Sequence, residues 1–157
     1  MAITTAFCTS AKEEYLQGTH NLGDASSSPI GGDTIKLALI KPSMAGTYGA
    51  ASTNYTDITG NSDEASDSNS PISYSPGGAT LTNAGVAVSG TTVYADFYDV
   101  TFTSVTMSAD GCMIYNLTAS NAALSVHDFG GTKTASGGDY VVQFPAADAS
   151  NAIIRLA

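Results

Sequence analysis

Two histidines are the first side chains in this sequence able to move a proton near neutral pH. His127 lies in Leu124-Ser-Val-His-Asp-Phe129, next to Asp128. Neighbouring residues on an extended strand point to opposite faces, so these two are not expected to work as a mutually supporting acid and base. His20 follows a helix stop, where an imidazole is expected to meet the last helix carbonyls. No Gly-x-Ser-x-Gly elbow marks a nucleophile, and abundant serine is no substitute for one. No residue is assigned a catalytic role, and the chain is expected not to be an enzyme.

The carboxylates offer a second kind of chemistry. Asp57, Asp63, Glu64 and Asp67 could supply oxygen ligands to calcium, but they lack the fixed alternation of an EF-hand loop. A solvated, mobile acidic loop without metal is the expectation. Asp96 and Asp99 stand three apart and face opposite ways on a strand, which excludes a glycosidase-like pair there. Gly77-Gly78, Gly130-Gly131 and Gly137-Gly138 precede no helix signal and read as turns, not phosphate cradles. Tyr94, Phe97, Tyr98, Phe102 and Tyr115 could stack on a sugar, yet the chain has no Trp and Phe97 and Phe102 are expected in the core. Cys8 and Cys112 are too few for a disulfide framework and are expected to be free. No cofactor is implied.

The elements that must position these residues follow from composition. The chain has 157 residues, the length of one domain, with 43% hydrophobic and only 12% charged residues, so it should fold around a core. Five Lys and Arg against 14 Asp and Glu, a net charge of −9, leave a nucleic-acid partner without the cations that phosphates require. No apolar run is long enough to span a bilayer, and the first residues lack a basic and apolar leader, so synthesis in the cytoplasm is expected. Abundant Ser and Thr, 16 Gly and 8 Tyr suit short strands and many turns.

One helix is predicted over Ala11–Gln17, capped by Thr9 or by Ser10 in a capping box with Glu14, and stopped by Gly18. Its apolar face would be Phe7, Ala11, Tyr15 and Leu16. A loop is predicted over Asn21–Gly32, then a half-buried strand over Asp33–Lys41 with Ile35, Leu37 and Leu39 inward and Lys36 breaking the other face. Residues 43–76 read as a long Ser/Asp-rich surface loop with Tyr48, Tyr55, Ile58 and Tyr74 as scattered anchors. Beyond it, strand-like runs at Ala79–Thr82, Val86–Ser89, Thr92–Phe97, Asp99–Met107, Cys112–Leu117, Ala123–Phe129, Tyr140–Phe144 and Ala152–Leu156 alternate with turn signals. The fold class is therefore mainly all-β: an antiparallel β-sandwich or jelly-roll-like barrel with one short N-terminal helix, over 1–157 as a single domain.

Several stretches together carry a resemblance. They are Met1-Ala-Ile-Thr-Thr-Ala-Phe-Cys-Thr-Ser-Ala-Lys-Glu-Glu14 with Leu16-Gln-Gly18, Asp33-Thr-Ile-Lys-Leu-Ala-Leu39, and Tyr94-Ala-Asp-Phe-Tyr-Asp-Val-Thr-Phe102. The closing run from Ser120 through Gly131 and from Gln143 to Ala157 completes them. In order and spacing the chain resembles a family of small structural proteins of tailed bacteriophages, over nearly its whole length. Asn21–Gly32 and Asn61–Ser70 are longer and more Ser/Asp-rich than that pattern. The resemblance implies a virion component without enzymatic activity, most simply a capsid decoration or cement protein. Such a protein would be assembled in the host cytoplasm onto the major capsid protein or other virion proteins, as a homotrimer or other homo-oligomer. A tail, adaptor or fibre-associated protein is the alternative, and a carbohydrate-binding β-sandwich a third. Nucleic acid and membrane are not expected partners. The N-terminal arm and helix, 1–18, with Phe7, Tyr15 and Leu16, is the expected assembly contact.

Overall fold

The computed structural model describes residues 2–23, 32–68 and 73–157. Most of the loop expected at Asn21–Gly32, and residues 69–72 of the 43–76 stretch, lie outside the described residues. With 47% strand against 9% helix, the chain is an all-β protein with a short N-terminal helix. In chain order the elements are β1 (Ala6–Phe7), α1 (Thr9–Leu16), β2 (Ile35–Ile40), α2 (Thr56–Gly60), β3 (Ala79–Thr80), β4 (Asn83–Ser89), β5 (Thr92–Phe97), β6 (Val100–Asn116), β7 (Ala122–Val142) and β8 (Ile154–Leu156). They build two antiparallel sheets, one in the order β1-β7-β6-β2-β3 and one in the order β4-β5-β8, around a shared hydrophobic core.

Helix α1 starts without its predicted cap. Thr9 is already helical, Cys8 stands at the N-cap, and no side chain closes the first turn. The orphan amides of the entry are met instead by distant carbonyls, Cys8 N–H donating to Leu124 and Thr9 N–H to Ala50, both at 2.9 Å. Hydrogen bonds to Leu124 of β7 and to Ala50 therefore fix the helix entry in place of the capping box. The helix ends as predicted at Gly18, whose N–H donates to Tyr15 O while Thr19 N–H donates to Glu14 O.

The strand at residues 35–40 is buried on both faces, not one: Leu37, Ala38, Leu39 and Ile40 are all inaccessible. It lies inside its sheet. β6 runs along one side, from Ile35 opposite Asn116 to Ile40 opposite Gly111, and β3 covers Lys36 and Leu37 on the other. The far half of that second side is closed by residues 63–65, with Lys41 N–H donating to Asp63 O and Ala65 N–H to Leu39 O. The long 43–76 stretch thus contains α2 and an edge segment, and Tyr48, Ile58 and Tyr74 anchor it in the core.

The four runs predicted between Asp99 and Phe144 are two long strands. Ala109-Asp110-Gly111 does not turn the chain, because β6 passes through it paired to β2 and β7 at once. Gly130-Gly131 and Gly137 make bulges in β7, where Phe129 to Thr132 lie opposite Asp110 alone. A positive φ serves a bulge as well as a reversal, and Gly130 and Gly131 adopt φ of 69° and 127°. Gly111 has another reason to lack a side chain: a Cβ there would lie 2.3 Å from His127 O across the ladder and 2.8 Å from Ile3 Cδ1. Gly111→Ala is expected to cost about 1–3 kcal/mol by forcing β7 away from β6. Urea denaturation checks this, and an unchanged midpoint would refute the close approach.

Candidate functional site

The histidines are spent on internal contacts. On β7, His127 Nε2 sits 2.9 Å from the hydroxyl of Ser125, two residues away on the same face, and Ser125 is buried. Burial pushes the His127 imidazole down to about 4, so it is neutral at neutral pH. Asp128 is exposed, and its carboxylate accepts the Gly130 amide at 2.9 Å. His20 departs from expectation. It does not cap α1 but is buried, with Nε2 2.8 Å from Glu14 Oε2 and Nδ1 2.9 Å from Asn116 Nδ2. Asn116 Oδ1 accepts the Ala119 amide, which orients the side-chain amide so that Nδ2 donates to both His20 and Asp33 Oδ2. His20 Nδ1 is then an acceptor, and Nε2 carries the proton given to Glu14. This chain of contacts joins α1 to β6 and to the entry of β2. No local signal marks Asn116, because its partner lies 96 residues away.

The acidic cluster does not converge and is not a solvated loop. Asp63 is fully buried. Its carboxylate accepts the amides of Ala45 at 2.9 Å and Gly46 at 2.7 Å and the Tyr48 hydroxyl at 2.6 Å, with Lys41 Nζ at 3.4 Å. Glu64, the next residue, turns the other way. It accepts the hydroxyls of Tyr55 at 2.5 Å and Tyr74 at 2.9 Å and the Gly77 amide at 2.7 Å. Asp57 accepts the Thr53 amide at the entry to α2, and Asp67 accepts the Thr106 amide of β6. Each carboxylate therefore gathers a separate set of donors, Asp57 within its own turn and Asp67 across to β6. The Tyr48 phenol is pushed up to about 12, by burial first and then by Asp63.

The aromatic residues do not form a platform. Phe97, Phe102 and Tyr115 are buried, Tyr115 stacking on Tyr55 with ring centroids 4.6 Å apart, while Tyr98 is exposed. Cys8 and Cys112 are free and buried.

The expected assembly residues divide into two kinds. Phe7 and Tyr15 are half-buried, with ring centroids 5.5 Å apart, and Tyr15 sets its ring edge-on to His20; these hold α1 to the body. Leu16 is 93% exposed and does not belong to the apolar face predicted for the helix. The segment before it is part of the body, since Ile3, Cys8 and Ala11 are core residues and β1 pairs with β7. Further apolar surface lies on the small sheet, where Val86, Val88, Val93 and Leu156 are exposed. Val86, Val93 and Leu156 flank a cleft of about 380 Å³ that reaches Tyr15, Leu22, Ala95 and Ile154.

The two buried aspartates shift in opposite directions. Burial raises the Asp63 carboxyl, but the Tyr48 hydroxyl, the Ala45 and Gly46 amides and Lys41 outweigh it and leave it below the usual range. Its contribution to stability is complete above the unfolded value of about 4 and is lost as pH falls through the lower folded value. For Asp96, burial raises the carboxyl against the amides of Phe97 and Ile153, and one of its oxygens has no hydrogen-bond partner among the described residues. Its contribution is complete below the unfolded value and is lost as pH rises through the higher folded one. Asp63→Asn is expected to cost about 2–4 kcal/mol at neutral pH, from buried donors left poorly met, and to flatten the acid limb of stability. Asp96→Asn is expected to raise neutral-pH stability. Chemical denaturation across the acid-to-neutral range checks both, and parallel profiles for Asp63→Asn and the parent chain would refute the Asp63 assignment.

No family model, curated protein or solved structure matches the chain.

Proposed function

We propose that this chain is a structural protein of a tailed-bacteriophage virion, a decoration or cement protein that binds the assembled head and acts as a homo-oligomer. The observation that carries the reading is how the side chains are divided. The carboxylates and histidines with chemical potential are turned inward as hydrogen-bond partners of loops and helix, while Leu16 and the valines of β4 and β5 are held outward. Such a division suits binding by apolar contact and offers little to a reaction. The net charge of −9 supports it, because an acidic protein is repelled by the packaged genome and by stray nucleic acid during assembly. The mechanism is mass action. A protein that binds the mature shell and not its open form stabilises the mature one by about 2.7 kcal/mol when its free concentration is a hundred times its Kd.

Leu16 is the contact that tests this reading. Removing residues 2–18 would take Ile3, Cys8 and Ala11 out of the core, so a point change is needed. Leu16→Gln, which keeps a neutral helix-forming residue in the last turn of α1, is expected to leave melting unchanged and to weaken binding to purified heads by about tenfold or more, the equivalent of losing one buried leucine. Co-sedimentation with heads measures it, and undiminished binding would count against the contact. Protein band intensities from purified particles separate the readings of position: hundreds of copies per particle are expected for decoration, and a handful would favour a tail or adaptor protein instead.

A further inference from the structure

We infer that the free edge of β4 is a self-association surface on which a second copy of this chain adds its own β4, antiparallel, across a two-fold axis near Ala87. The sheet ends at β1, β3, β4 and β8, and of these β4, with seven residues, is the only one longer than three. The outer side of β7 beyond β1 is long too, but bulges at Gly130–Gly131 and Gly137 and the charge of Lys133 blunt it. β4 has one bulge, between Asn83 and Val86, and residues 86–89 beyond it are regular and have none of these protections. They are exposed, contain no Pro and no charge, and pair only with β5 among the described residues.

The side chains of the small sheet point to the same contact. Val88 lies opposite Val93, and Val93 opposite Leu156, so the three form one row across the whole sheet, exposed at 69%, 37% and 56%. The face that carries this row is the one that buries Ala95 and Ile154 nearer the body. The row stops at the open edge of β4. A two-fold axis through Ala87 would set Val86 against Val88 of the partner subunit and extend the row into a second sheet. Charge argues for a second copy as the occupant. Two chains of net charge −9 repel over most of their surfaces and can meet closely only where carboxylates are missing, as along residues 83–89. A basic partner would find no carboxylate on this strand to pair with.

This gives the homo-oligomer of the proposed function a surface, yet it is measured on the purified full chain without any particle, so its failure leaves the Leu16 test standing. Sedimentation velocity from micromolar to submillimolar concentration should show a reversible dimer. Val88→Lys should weaken it by about tenfold or more with melting unchanged, as Val88 is already exposed. Val141→Lys, on the exposed part of β7, should leave it intact. Ala87→Cys should give a disulfide-linked dimer on mild oxidation, since residues opposed across antiparallel strands lie within bridging range and Cys8 and Cys112 are buried. A parent chain that stays monomeric, a dimer indifferent to Val88→Lys, or no cross-link through Ala87→Cys would each overturn the inference.

Discussion

The register between β6 and β7 places Cys112 opposite His127 and Ile114 opposite Ser125, and the other elements of the large sheet take their positions from it. Backbone polar groups in the core must be paired, and this ladder pairs them over most of two long strands. β1 then adds to β7 through Ala6 and Phe7, and β2 adds to the other side of β6 through Ile35 to Ile40. The close approach at Gly111 lets both neighbours lie against β6 where a side chain would hold His127 away. The bulges opposite Asp110 take up the surplus residues of β7 without breaking the pairing on either side.

Upon this ladder the loops are held by carboxylates. Asp63 and Glu64 are consecutive in an extended segment, so they face opposite ways and gather different loops. One takes the 45–48 turn with Lys41; the other takes Tyr55, Tyr74 and Gly77. A buried carboxylate is tolerable only when its oxygens are met by donors, and here amides and phenols supply them. The Glu14–His20–Asn116–Asp33 chain does the same for α1. Asp63, Glu64 and His20, the members of these sets able to ligate a metal or move a proton, thus serve as hydrogen-bond partners within the fold.

The exterior follows another logic. Leu16 and the row from Val88 to Leu156 are apolar surface that the described residues leave exposed on a chain of net charge −9. Their separation, at the end of α1 and on the small sheet, gives the proposed virion contact and the proposed self-contact different places on the molecule.

Local features of the sequence determined the all-β class, the helix stop at Gly18, the strand at Thr92–Phe97 and the anchoring roles of Tyr48, Ile58 and Tyr74, because alternation, turn residues and large side chains in polar surroundings act over a few residues. Tertiary structure alone decided the rest. The glycines after Phe129 and around residue 137 carry the same local signal whether the chain reverses or bulges, and only the partner strand chooses between them. Asp63 and Glu64 read as solvated groups, and His20 as a cap on the last carbonyls of the helix, because Tyr48, Tyr74 and Asn116 lie elsewhere in the chain, beyond any spacing rule. Leu16 fits the apolar stripe of a helix by period, but which part of that stripe meets the sheet is set by the pairing of β1 with β7 and the packing of Ala11, and those leave Leu16 in water.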